Sequence, residues 1–132
     1  MNNEIKLVTD LITKLDELNE KLTKKYVNYC NAEVVVKVEY DVNRHLIMVT
    51  IESIMNECDV SIQVSNGFYF EPFVRMCSDD KKMLKKLDEY KFPTTLEFDE
   101  QIPNDKIIKI VVDMFYQCID LLGIKLSCRV QK

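Results

Sequence analysis

Residues 104–122, NDKIIKIVVDMFYQCIDLL, constrain the fold more than any other stretch of this sequence. On a helix each residue turns about 100° from the last. Lys106, Lys109, Asp113, Gln117 and Asp120 then share one stripe roughly 80° wide, and the rest of the cylinder is apolar. A surface helix ordinarily buries one face; this one needs cover on at least two sides. Each fully buried large side chain contributes roughly 1.5–3 kcal/mol, which makes this helix the largest local source of hydrophobic stabilisation. It is too short and too charged for a membrane span of ~20 apolar residues. Pro103 followed by Asn104 and Asp105 marks its start, with either of the last two able to cap, and Gly123 marks its end.

The remaining segments must supply that cover. Residues 3–30 read as a long helix. Val8, Leu11, Leu15, Leu18 and Leu22 repeat at heptad a/d spacing, either as the face packed on the rest of the domain or as a dimer interface with a second copy. Residues 33–42 alternate as a half-buried strand, with Val34, Val36, Val38 and Tyr40 on one face. Residues 45–53 return as a strand with apolar residues on both faces, Leu46 and Met48 opposite Ile47, Val49 and Ile51, which calls for cover on both sides. Residues 57–65 alternate again, Asn66–Gly67 is a hairpin signal, and 68–73 is the expected return strand, stopped by Pro72. A short helix over 79–90, a weak strand over 94–98 and a last alternating strand from Ile124 to Val130 complete the order. The expected fold class is α+β: one domain over 1–132, with a mainly antiparallel sheet, a four-strand meander plus a C-terminal strand. A long N-terminal helix and a buried C-terminal helix pack on it.

The chain has 132 residues, 47% of them hydrophobic, enough for one domain with a real core. A net charge of −4 gives no broad electrostatic grip on nucleic acid. Two glycines leave no phosphate-cradling loop. The charged first residues suggest no signal peptide. An odd count of five cysteines (30, 58, 77, 118 and 128) at irregular spacing fits reduced thiols, so a cytoplasmic location is expected. Richness in Asn, Lys, Ile and Asp suggests an AT-rich genome, such as that of a low-GC bacterium or a virus.

Motifs for chemistry are absent. His45, the sole histidine, sits with Arg44 at a turn, away from any nucleophile motif. Cys58, Cys118 and Cys128 fall on inward positions as small core residues, and Cys30 and Cys77 lie near element ends. Glu52, Glu57 and Asp59 match no metal loop and read as a solvated edge. No catalytic residue, metal or cofactor is assigned. The most suggestive stretch is 68–76, FYFEPFVRM. Phe68, Tyr69, Phe73, Arg75 and Met76 are of the types enriched in interface cores, and stand as a partner-binding patch against the alternative of folding back as core.

In element order, size and acidity the chain resembles the dimeric chaperones that escort secreted effectors, which are usually richer in glycine; no residue is carried over from them. The functional expectation is a small, non-enzymatic, protein-binding module, expected to be a homodimer. It would act as an inhibitor or adaptor of the kind that viruses and mobile elements encode, with no membrane and no nucleic acid as partner. The alternative is a sensor or sequestering protein for an anionic small molecule. Its pocket would lie between sheet and helix or at a dimer seam, with Arg44, Arg75 or Arg129 gripping the ligand.

Overall fold

A computed structural model of the chain describes residues 3–65, 69–70, 73–78, 81–90, 96–97 and 103–128. The first helix, α1, spans Asn3–Lys25 and stops before residue 30. Tyr26 takes extended angles (φ −118°, ψ 118°), and a five-residue helix, α2, follows over Val27–Asn31. A tertiary contact accompanies the break: the Val27 N–H donates to the Ser127 carbonyl at 3.0 Å, and Tyr26 forms an isolated antiparallel bridge with Cys128.

Three strands, β1 (Val34–Asp41), β2 (Leu46–Ser53) and β3 (Cys58–Ser65), pair consecutively and antiparallel. Both connections are four-residue turns that close on residues with left-handed angles, His45 (φ 51°) and Glu57 (φ 51°). In the first, the Asp41 carboxylate accepts from the N–H groups of Asn43 and Arg44, which stabilises the turn through a side chain. The register lines up Val36, Ile51 and Val60 in one row and Val38, Val49 and Ile62 in the next. The alternation expected for each strand is therefore the face that packs.

The expected meander of four consecutive strands is not formed. Residues 69 and 70 make a two-residue strand, β4 (Tyr69–Phe70), that pairs with β6 (Leu96–Glu97), apart from the main sheet. The strand that does join β3 is β5 (Phe73–Cys77), which gives the sheet order β1-β2-β3-β5. Proline lacks the N–H that a ladder needs, and the aromatic stretch around Pro72 is divided between two ladders. Val74 and Met76 then fall opposite Ile62 and Val60, which supplies the sheet with a fourth alternating pair. The C-terminal strand is also not formed in the described residues: 124–128 carries only the bridge from Cys128 to Tyr26.

Helix α3 spans Lys81–Glu89, and α4 spans Asn104–Leu121 as its apolar pattern requires. The chain enters α4 through the Pro103 carbonyl, which accepts from Lys106 and Ile107; Pro103 is the cap residue and has no side-chain cap bond of its own. It leaves through Gly123 at φ 80°, with the Gly123 N–H on Asp120 and the Ile124 N–H on Ile119. That pair of bonds is the Schellman ending that glycine permits.

One cluster of buried residues joins α1, α4 and one face of the sheet. Helix α1 lies against β1 and α4 against β3, while α3 flanks α4 and β5. This arrangement answers the constraint set by α4. Ile107, Val111, Met114, Phe115, Cys118, Ile119 and Leu121 are all buried within one chain. Ile108, Ile110 and Val112 remain half-buried, and Tyr116 is exposed. No helix among the described residues is long and apolar enough to cross a membrane.

Candidate interaction surface

The leucine seam of α1 is not open. Leu11, Leu15, Leu18 and Leu22 are between 0 and 8% exposed in the single chain, and Val8 is half-buried. Leu7 joins them as a fifth buried position. These side chains pack within their own chain, so the seam offers little surface to a second copy.

The patch at 68–76 is divided. Phe68 lies outside the described residues; Tyr69 belongs to β4, and Phe73 and Arg75 to β5, paired with Gln63 and Ser61 of β3. Met76 is buried in the core cluster, on the alternative reading of this stretch rather than the surface one.

What the described residues leave open is the other face of the sheet. Its positions on β2 and β3 are Leu46, Met48, Thr50 and Glu52, and Asp59, Ser61 and Gln63, all half-buried except the exposed Glu52. Register places Glu39, Met48, Gln63 and Phe73 in one row, and Lys37, Thr50, Ser61 and Arg75 in the next. Leu46 and Met48 floor a cleft of about 570 Å³ at the β1–β2 hairpin, walled by Glu39, Tyr40, Asp41, Arg44 and Gln63. Arg44 is held by Asp41 at 3.6 Å, a contact within one turn between two solvated groups. Val42, at the tip of this hairpin, is 66% exposed. Sequence reading found the two-sided apolar pattern of β2 but assigned no site to it.

A second cavity, of about 320 Å³, lies where α2 and α4 end beside the β2–β3 turn. Asn28, Asn31, Asn56 and Lys125 line it, and two of the amides are used structurally. Asn28 Nδ2 donates to Ser127 Oγ at 3.2 Å, and Asn56 Nδ2 donates to the Leu122 carbonyl at 3.1 Å. These bonds tie the chain leaving α4 to α2 and to the turn. Nothing in the sequence patterns marked the three asparagines.

The remaining candidates are dispersed. His45 and Glu57 occupy separate turns, and Glu52 and Asp59 face each other across β2 and β3. Among the described residues no three His, Cys, Asp or Glu side chains cluster as metal ligands. Cys58 and Cys118 are buried as expected, whereas Cys128 is exposed rather than inward. Burial pushes the Cys118 thiol up to about 12, the direction of an inert core thiol. Tyr90 is also raised, first by desolvation and then by its hydrogen bond to the Asp120 carboxylate. With Lys86 Nζ on the Asp120 carbonyl at 2.9 Å, that pair fastens α3 to the end of α4.

The fold and surface together define an α+β protein whose helices cover one face of an antiparallel sheet and, among the described residues, leave the other face open. No protein-family model matches the sequence, and no match was found among the curated proteins or the solved structures.

Proposed function

We propose that this protein is a small non-enzymatic binding module that works by holding another protein against the open face of its sheet. The observation that carries the reading is the cleft floored by Leu46 and Met48. Two apolar side chains lie half-buried on a face that no helix among the described residues covers, beside a rim of Glu39, Asp41 and Arg44. An apolar floor within a polar rim is the usual anatomy of a contact surface. A binding role of this kind suits an inhibitor or adaptor of viral or mobile-element origin acting in the cytoplasm. Self-association belongs to the same reading, and because the α1 leucines are buried it must use another surface.

The small-molecule alternative is less well supported. The space between the sheet and α4 is filled by Val49, Ile62, Val111 and Phe115, each 0% exposed. In the open cleft, Glu39 and Asp41 oppose an anion and Arg44 is already paired. The test is site-specific photo-crosslinking in an extract of the cell that encodes the protein. A crosslinker at position 48 should give a discrete protein adduct that is absent with the crosslinker at Lys14 of α1. Leu46→Glu elsewhere in the same chain should abolish that adduct while the melting temperature is kept. The same adducts from both positions would overturn the proposal.

A further inference from the structure

We infer that the edge strand β1 is the surface through which two copies of this chain associate, antiparallel about a two-fold axis centred on Val38. The inference rests on the self-association part of the reading above and assigns it a surface and a register.

Three observations carry it. First, β1 is an outer strand of the sheet. The Ile54 N–H donates to the Glu33 carbonyl, one position beyond the Val34–Ser53 pair. Antiparallel bonds alternate along a strand. Val35, Lys37, Glu39 and Asp41 therefore bond β2, and the backbone groups of Val36 and Val38 point to the outer edge. Second, the inward side chains of β1 are incompletely covered. Val36, Val38 and Tyr40 are only half-buried, whereas their register partners Ile51, Val49 and Ile47 are at most 2% exposed. Burial is thus incomplete along this outer strand, where a neighbouring sheet would complete it.

Third, charge selects the register. Lys37 and Glu39 are exposed, and neither is in an ion pair among the described residues. Centring the two-fold on Val38 sets Lys37 of each copy against Glu39 of the other. These are positions without mutual backbone bonds, where side chains of an antiparallel pair come closest. Val38 meets itself, and Val36 meets Tyr40. The neighbouring centres are worse. Centring on Lys37 opposes lysine to lysine, centring on Glu39 opposes glutamate to glutamate, and centring on Tyr40 opposes Glu39 to Asp41. Of the four centres from Lys37 to Tyr40, only the Val38 register gives two opposite-charge pairs and no like-charge pair. Exposed charges on an edge strand otherwise discourage pairing; here one arrangement turns the same charges into a selection for a single register.

The experiment is sedimentation velocity over a concentration series up to about 100 μM with wild type, Lys37→Glu and Glu39→Lys. Circular dichroism confirms that each is folded. Wild type should sediment as a dimer at the upper end of the series. Each single variant sets like charges opposite each other and should raise the dimer dissociation constant at least tenfold. An equimolar mixture of the two variants should recover a heterodimer, because the two acidic positions of the Lys37→Glu chain then face the two basic positions of the Glu39→Lys chain. Dimerisation that is equally strong in wild type and in both single variants would leave self-association standing and overturn the β1 surface. A wild type that stays monomeric throughout would overturn both.

Discussion

At the scale of single residues, two buried polar side chains define measurable consequences. Cys118 lies in α4 with 0% exposure, and its thiol is pushed from an ordinary 9.0 up to about 12 because burial disfavours the thiolate. The unfolded chain ionises this thiol near its ordinary value, so between about pH 9 and 12 the unfolded state holds fewer protons than the folded state. Stability attributable to this group is full below pH 9 and is lost as pH rises through that window. The limiting slope is about 1.4 kcal/mol per pH unit. Urea titrations at pH 8, 9 and 10 should show the fall, and Cys118→Ala should flatten it whatever its effect at pH 8. Tyr29 is raised in the same direction by desolvation, and its hydroxyl donates to Asn19 Oδ1. Replacing Tyr29 by Phe leaves that amide oxygen without its donor and keeps the ring packed. The expected loss is about 1 kcal/mol, the usual net worth of such a bond, measured by the same titrations at pH 7. A loss above about 3 kcal/mol would mean that the ring itself had been displaced.

At the scale of elements, α1 separates two readings that its heptad spacing alone could not. The leucines of α1 are buried by their own chain, so Leu15→Ala should cost about 2–5 kcal/mol as a core truncation does. Ile12, on the same helix but 40% exposed, should cost well under half of that when changed to Ala. The melting-temperature loss of the Leu15 variant should be the same at 5 and 100 μM protein, since no subunit contact is removed. A loss that shrinks with concentration would place the seam between subunits after all. The legibility of each element follows from where its determinants lie. Helix α4 and strands β1, β2 and β3 were legible because their apolar periodicity is local and repeated. The Schellman end of α4 was legible because Gly123 is needed there. The break at Tyr26 was not, because the chain around it, KKYVN, contains no breaker; the bond from Val27 to Ser127 comes from about a hundred residues away. The fourth strand was misplaced because alternation fits both 68–73 and 73–77, and pairing with β3 decides between them. The open cleft was half legible. The two-sided pattern of β2 showed that both faces were apolar, but only topology shows which one the helices leave bare.

At the scale of the whole molecule, the decisive feature is that α1, the sheet and α4 share one buried cluster. Phe115 of α4, Leu11 and Leu15 of α1, and Val49 and Ile62 of the central strands all belong to it, so no layer retains a separate core when another leaves. Helix α4 alone exposes more than one apolar face once the sheet is removed, and the sheet without helices loses the side that α1 and α4 cover. Neither partial structure buries enough surface to offset its chain entropy. Unfolding should therefore be cooperative. In a urea titration at pH 7, far-ultraviolet circular dichroism reports helix and strand, and near-ultraviolet tyrosine signals report packing around buried Tyr29. Both should give one midpoint and one slope. The Phe115→Ala variant should lower that midpoint by an amount equivalent to about 3–5 kcal/mol while the two probes stay superimposed. Separation of the two curves, with helix signal persisting after the tyrosine signal is lost, would show that α1 or α4 keeps structure without the sheet. The single cluster would then not be the unit of stability.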